Sequence, residues 1–287
     1  MLARPSQRLT AAIDSLPTLP AIVSQVMAIT GDPESSAHDL LPVISADPAY
    51  TAQILKLANS AFYSRMYEIA TIKQAIMVIG FQEIRNLVVA SAVFNNFQQI
   101  KRIKKFDALD FWRHAFEVGL AAQMLAGALE LQGGQLFVAG LIHDLGKLAL
   151  LIAMPTEYSQ IIQRNGLYGL DNIAAEKQLI GLTHAEMGRR LFNRWMFQNL
   201  YLNTTHCHHT PHLAREDQTA TIVVHIADHL ARIAKTGDLT QECLSAETTS
   251  AARALGIAWD TNGIEILTTQ LNDLVEARSG VMTALFS

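Results

Sequence analysis

The stretch LFVAGLIHDLGKLALL, residues 136–151, constrains the fold more tightly than any other part of the chain. Eleven of its sixteen residues are Leu, Ile, Val, Phe or Ala, which belong inside a protein, yet His143 and Asp144 stand side by side at its centre. An ionised carboxylate among apolar neighbours is costly unless it is paired. The rest of the chain must therefore bury this segment and also bring something to the pair. A cation that takes an imidazole nitrogen and a carboxylate oxygen together would meet that demand.

The cover is expected to be helical. Almost every segment carries the helical period, and no Val/Ile/Thr alternation suggests a sheet. Asp47 caps a helix that has Pro48 in its first turn and continues through AYTAQILKLANSAF. Thr71 caps IKQAIMVI, Gly80 ends it, and FQEIRNLVVASAVFNNF follows. This helix-turn-helix outline reads as an antiparallel pair in a bundle. A DNA-recognition helix needs polar and basic side chains at its exposed start, whereas this one offers Gln82, Glu83 and Arg85 before turning apolar.

The basic run IKRIKKFD, residues 100–107, with Lys101, Arg102, Lys104 and Lys105, reads as a solvated connector, and a docking surface for an acidic partner is the alternative. Asp107 or Asp110 then caps FWRHAFEVGLAAQMLAGALE. A boundary here separates an N-terminal helical part, 1–106, from a core at 107–236, and a helical tail follows at 237–287. The fold expected is all-α, a multi-helix bundle with an additional N-terminal helical subdomain.

Bulk properties exclude several classes. A 287-residue chain that is 50% hydrophobic and 17% charged can bury a substantial core. Its net charge of −4 argues against a surface built for nucleic acid. No uninterrupted apolar run approaches membrane-spanning length, and MLARPSQRLTAAIDSLPTLP does not resemble a secretory leader, so no membrane association and a cytoplasmic location are expected. Cys207 and Cys243 form no framework and read as reduced thiols.

Nine of the ten histidines lie between His114 and His229. The exception, His38, precedes Asp39 and provides an internal control: that pair sits after capping serines in ESSAHDLLPVI, where both side chains can face water. His143, by contrast, shares a helical face with Leu136, Ala139, Gly140 and Lys147. Four further segments present a similar problem. His114 shares its face with Phe111, Val118, Ala121 and Leu125, and Asp228 projects between Thr221, Val224 and Ala231. His184 follows Thr183 in a capping box with Glu186, in a first helical turn where the macrodipole keeps an imidazole neutral and attracts an anion such as phosphate. HCHHTPH, residues 206–212, holds His208 and His209 about 100° apart on a helix end. A lone buried histidine is more often a hydrogen-bonded core group than a ligand, and the alternative for the tandem histidines is a flexible surface loop. One shared cation would resolve all of them together.

These segments resemble the HDOD domain, the HD-related output domain of bacterial signalling proteins in the HD superfamily of metal-dependent phosphohydrolases. LPTLPAIVSQVMAI, ISADPAYTAQILKLANSAFY and TIKQAIMVIGFQEIRNLV resemble its N-terminal half, and FWRHAFEVG, AGLIHDLGKLAL, THAEMGRRLFNRW, HHTP and IADHLA its HD half, over roughly residues 14–235. The resemblance implies metal ligation by His114, His143, Asp144, His184, His208 and Asp228. Asp144 would bridge two ions, with His114, His143 and Asp228 around one and His184 and His208 around the other. It also implies a phosphate contact for Lys147 and, for His209, the place of the second member of a tandem pair. The Gly-Tyr-Pro run of HD-GYP enzymes is absent, so cyclic di-GMP hydrolysis does not carry over.

Three functions follow as expectations. The first is a signal-transduction output module, the output part of a response regulator, whose metal pocket holds the fold or senses a phosphorylated small molecule or a signalling partner. The second is a phosphohydrolase acting on a nucleotide-like ester, with Asp144, Lys147 and His209 as its catalytic residues. The third is a metal-free interaction scaffold. One or two divalent ions are expected, and mixed His and carboxylate ligation suits Fe, Mn, Zn, Ni or Mg.

Overall fold

Local capping chemistry starts several of the helices, with Ser36, Thr71, Asp107, Thr183, Ser245 and Asp260 among the caps. The computed structural model describes residues 18, 20–32, 34–59, 69–97, 106–169, 172–237 and 245–286, and every regular element among them is helical. The N-terminal part holds α1 (Ala21–Gly31), α2 (Ala37–Ser45), α3 (Pro48–Ala58), α4 (Ile72–Ile79) and α5 (Phe81–Asn96). The Asp47 carboxylate accepts from the Tyr50 amide at the start of α3, and Thr71 forms a full capping box with Gln74. Gly80, at φ 98, turns the chain between α4 and α5 in a conformation few other residues adopt. The basic run at 100–105 lies outside the described residues.

The core comprises α6 (Ala108–Ala128), α7 (Gly133–Ile142), α8 (Leu145–Ala153), α9 (Pro155–Asn165), α10 (Asn172–Leu179), α11 (His184–Arg194), α12 (Asn199–Cys207) and α13 (Gln218–Thr236), with a 3₁₀ turn at Pro211–Leu213. After it come α14 (Ala246–Ala254), α15 (Thr261–Ala277) and α16 (Ser279–Phe286). Asp107 caps α6 through the Asp110 amide. α7 packs along α6, α13 crosses both, and α11 lies against α8 and α12.

The three parts of the chain share one apolar core. α5 is buried from Ile84 to Phe94, and its Arg85 reaches inside to the Tyr201 hydroxyl on α12. Of the three residues weighed above for a recognition surface, the one cation, Arg85, is therefore internal, while Gln82 stays exposed. α15 packs on α6 and α13, and α16 touches α3, α5 and α6.

The apolar stretch differs from expectation in one respect: it is two helices, not one. α7 stops at Ile142, α8 begins at Leu145, and His143 and Asp144 form the junction. The span Gly133–Ala153 is long and apolar enough to cross a membrane, but 89% of its best window is buried inside the protein.

Candidate metal centre

Small residues let the helices approach closely enough to build the site. A Cβ on Gly140 would lie 2.7 Å from the Val118 carbonyl oxygen and 2.9 Å from the Gly119 backbone, so α6 and α7 touch backbone to backbone. That approach brings His114 and His143 to a ring separation of 5.9 Å. A Cβ on Gly146 would lie 1.8 Å from the His184 carbonyl oxygen, and one on Gly188 2.6 Å from the Thr205 methyl. α8, α11 and α12 therefore converge, carrying Asp144, His184 and His208 to one place. The Thr183–Glu186 capping box fixes where α11 starts, which makes His184 its first residue.

The six residues read as candidate ligands come together, and all are buried. The donor atoms of Asp144, His184, His208 and His209 lie within 4.8 Å of one another, as do those of His114, His143 and Asp228. Asp144 stands between the two groups. Its Oδ2 is 3.3 Å from His143 Nε2, while its Oδ1 is 3.3 Å from His184 Nε2 and 3.6 Å from His208 Nε2. His38 and Asp39, the control pair, are exposed, and Asp39 caps α2 through Ser36.

Three imidazoles share one orientation. His143 Nδ1 donates to the Gly140 carbonyl at 2.7 Å, His208 Nδ1 to the Thr205 carbonyl at 2.7 Å, and His184 Nδ1 to the Glu176 carboxylate at 2.9 Å. Each therefore turns Nε2 inward, with Nδ1 held by its own acceptor, an arrangement that suits metal ligation. Glu176 is fully buried and also accepts from the His184 amide and the Tyr158 hydroxyl. His143 Nε2, Asp144 Oδ1 and His208 Nε2 are buried without a hydrogen-bond partner among the described residues. Buried polar atoms are rarely left so, and a divalent ion suits this donor set. His225 Nδ1 supports the site from outside by donating to the His208 carbonyl at 2.7 Å, and its Nε2 faces Thr248 of α14 at 3.1 Å.

Two cations hold the carboxylates. Lys147 Nζ donates to Asp144 Oδ2 at 2.7 Å, and Arg232 donates through Nε and a terminal nitrogen to Asp228 at 3.1 and 2.7 Å. Burial opposes ionisation of both acids. Lys147 and His143 nevertheless hold Asp144 well below the ordinary carboxylate range, and Arg232 and His114 do the same for Asp228. Burial pushes His208 down to about 4 and His209 well below its ordinary value. His143 goes the other way: burial lowers it, but Asp144 and Asp228 raise it more.

The sequence profile of the HDOD domain matches residues 16–211. The chain belongs to the HDOD family. A crystal structure of an HDOD domain protein of unknown function from Geobacter sulfurreducens superposes with a TM-score of 0.78 at 23% identity, covering 99% of this chain and 100% of that one. A Shewanella amazonensis SB2B protein described provisionally as a phosphohydrolase gives 0.76 at 26% identity, over 97% and 98% of the two chains. An uncharacterized Treponema pallidum (strain Nichols) protein is 26% identical over 207 residues, and this chain spans 71% of its own length and 40% of that relative's.

Three further residues stand around the ligand candidates without being marked by the sequence pattern: Glu176 and Tyr168, within the HDOD match, and Arg232, beyond its end. Arg232 was within reach, since it stands one helical turn after Asp228. The Tyr168 ring lies 4.5 Å from that of His114, with Lys147 Nζ 4.8 Å from its centroid. Lys147, for which a phosphate contact is expected, donates to Asp144 Oδ2. His209 Nε2 is 2.9 Å from His184 Nε2 and lines a cleft of about 610 Å³ with Lys177, Arg189, His206 and Arg215.

Proposed function

We propose that this HDOD module holds a divalent transition-metal ion in its buried His/Asp pocket and acts as a signalling output unit that recognises a phosphorylated ligand. The convergence of His143 Nε2, Asp144 Oδ1 and His208 Nε2, buried with no hydrogen-bond partner among the described residues, carries the reading. Asp144, His184 and His208 would hold the ion, with His143 Nε2 facing the same carboxylate, and the ion when bound would supply a Lewis acid for a phosphoryl oxygen. The protein's own part is to turn these imidazoles inward, through Gly140, Thr205 and Glu176, and to exclude water with the apolar walls of α7 and α8.

The cleft that ends at His209 favours a second reading, phosphoester hydrolysis. It gives a ligand a path to the edge of the pocket lined by Arg189 and Arg215, by Lys177 in its ion pair with Glu186, and by Glu216. His209 is placed to hold or give a proton there, because its imidazole stays neutral.

One pair of proteins tests both readings. Untagged full chain and Asp144→Ala are purified after iron or manganese supplementation, their metal content is counted, and turnover of generic phosphoesters is measured. Near-stoichiometric metal in the native chain, lost in the variant, is expected. Sub-stoichiometric metal in the native chain contradicts the proposal, and phosphoester turnover that survives Asp144→Ala contradicts the hydrolytic reading.

A further inference from the structure

The two halves of the pocket offer similar donor atoms but differ in what those atoms already hold. In the Asp144 half, Asp144 Oδ1 and His208 Nε2 have no hydrogen-bond partner among the described residues. His184 Nε2 has its lone pair available, because Nδ1 carries the proton given to Glu176. The hydrogen bond between His184 and His209 is the one contact an arriving ion must displace.

The Asp228 half is already satisfied. A proton must lie between His114 Nε2 and Asp228 Oδ1, which are 2.9 Å apart, since two bare acceptors would repel. An imidazole that donates through Nε2 has no lone pair there for a metal. Asp228 Oδ1 also accepts from Arg232 Nε at 3.1 Å, and Oδ2 accepts from the other arm of the same fork at 2.7 Å. Arg232 follows Asp228 by one turn of α13, so the two-pronged contact forms without distorting the helix. The Asp144 oxygen nearest this half, Oδ2, is bonded to Lys147. His143 Nε2 is left as the one uncommitted donor of the three.

We infer that the Arg232 guanidinium takes the place of a second cation against Asp228 and His114, so that the chain binds one divalent ion tightly, in the Asp144, His184 and His208 half. The inference rests on reading the pocket as a metal site, and it separates this chain from an arrangement in which Asp144 bridges two ions. A second ion would have to break the His114–Asp228 hydrogen bond and sit beside the Arg232 guanidinium and the Lys147 ammonium, both of which repel it. Arg232→Gln removes the charge and one arm of the fork while leaving a hydrogen-bond donor.

Metal-stripped full chain and Arg232→Gln are dialysed against graded free Mn²⁺, and bound ions per chain are counted by elemental analysis. The native chain is expected to hold one ion across at least a tenfold range of free Mn²⁺ in which Arg232→Gln holds two, the scale on which outer groups act on metal affinity. Two ions bound equally tightly by the native chain would overturn the inference and leave the proposed function standing. A variant that still stops at one ion would also overturn it. No ion bound by the native chain at any concentration would overturn both. The native titration decides by itself if the variant does not fold.

Discussion

Most of the buried imidazoles are neutral in the folded chain because a charged ring finds too little solvation there. Burial lowers His208 from an ordinary value of 6.5 to about 4 and His229 to about 3, and it also lowers His114, His209 and His225. A depressed histidine contributes stability that is complete above the unfolded value and is lost as pH falls toward the folded one. His143, whose value is raised, contributes in the opposite sense, one residue against five. The metal-stripped protein is therefore expected to lose stability as pH falls from about 6.5 to about 4, read as a falling denaturation midpoint. A midpoint unchanged across that window would contradict neutral, buried rings. Residues of this kind are visible in the sequence because a His or Asp stands out among Leu, Val and Ala. Glu176 is not visible, since in NIAAEKQL a carboxylate sits among polar residues with nothing to mark it as buried.

Helix starts were readable at the scale of the element because caps are local. Thr71, Asp107 and Thr183 each bond the amide of a residue within three positions. The break between α7 and α8 was not readable, because it depends on the His143 ring taking the Gly140 carbonyl and on α11 pressing against Gly146. Nor can a sequence state which glycines are contact points. Gly146 is one: a methyl there meets the His184 carbonyl, a backbone atom that cannot move without shifting α11. Gly146→Ala is expected to cost about 3 kcal/mol and to lower the thermal midpoint by roughly 5–10 °C, with loss of metal binding. Gly127→Ala, on the same scaffold with nothing within 4 Å of the new methyl, should leave the midpoint unchanged or raise it. Equal stability of both variants would contradict the role given to the α8–α11 contact.

For the whole molecule, the all-helical architecture was legible because helical period runs through nearly every segment, whereas the meeting of distant helices was not. His114, His143, His184, His208 and Asp228 come from five stretches, and spacing alone does not bring them together; family resemblance supplied their order. The HDOD match ends at residue 211, yet the pocket takes Asp228 and Arg232 from α13 and is braced by Thr248 of α14. The C-terminal helices are thus part of the pocket's support, packed on α6 and α13. The most direct test of the central claim is anomalous X-ray diffraction from crystals of the untagged chain grown with Mn²⁺. The account predicts an anomalous peak bonded to Asp144, His184 and His208. A map with no scatterer there, and with those side chains hydrogen-bonded to other protein groups, would contradict it.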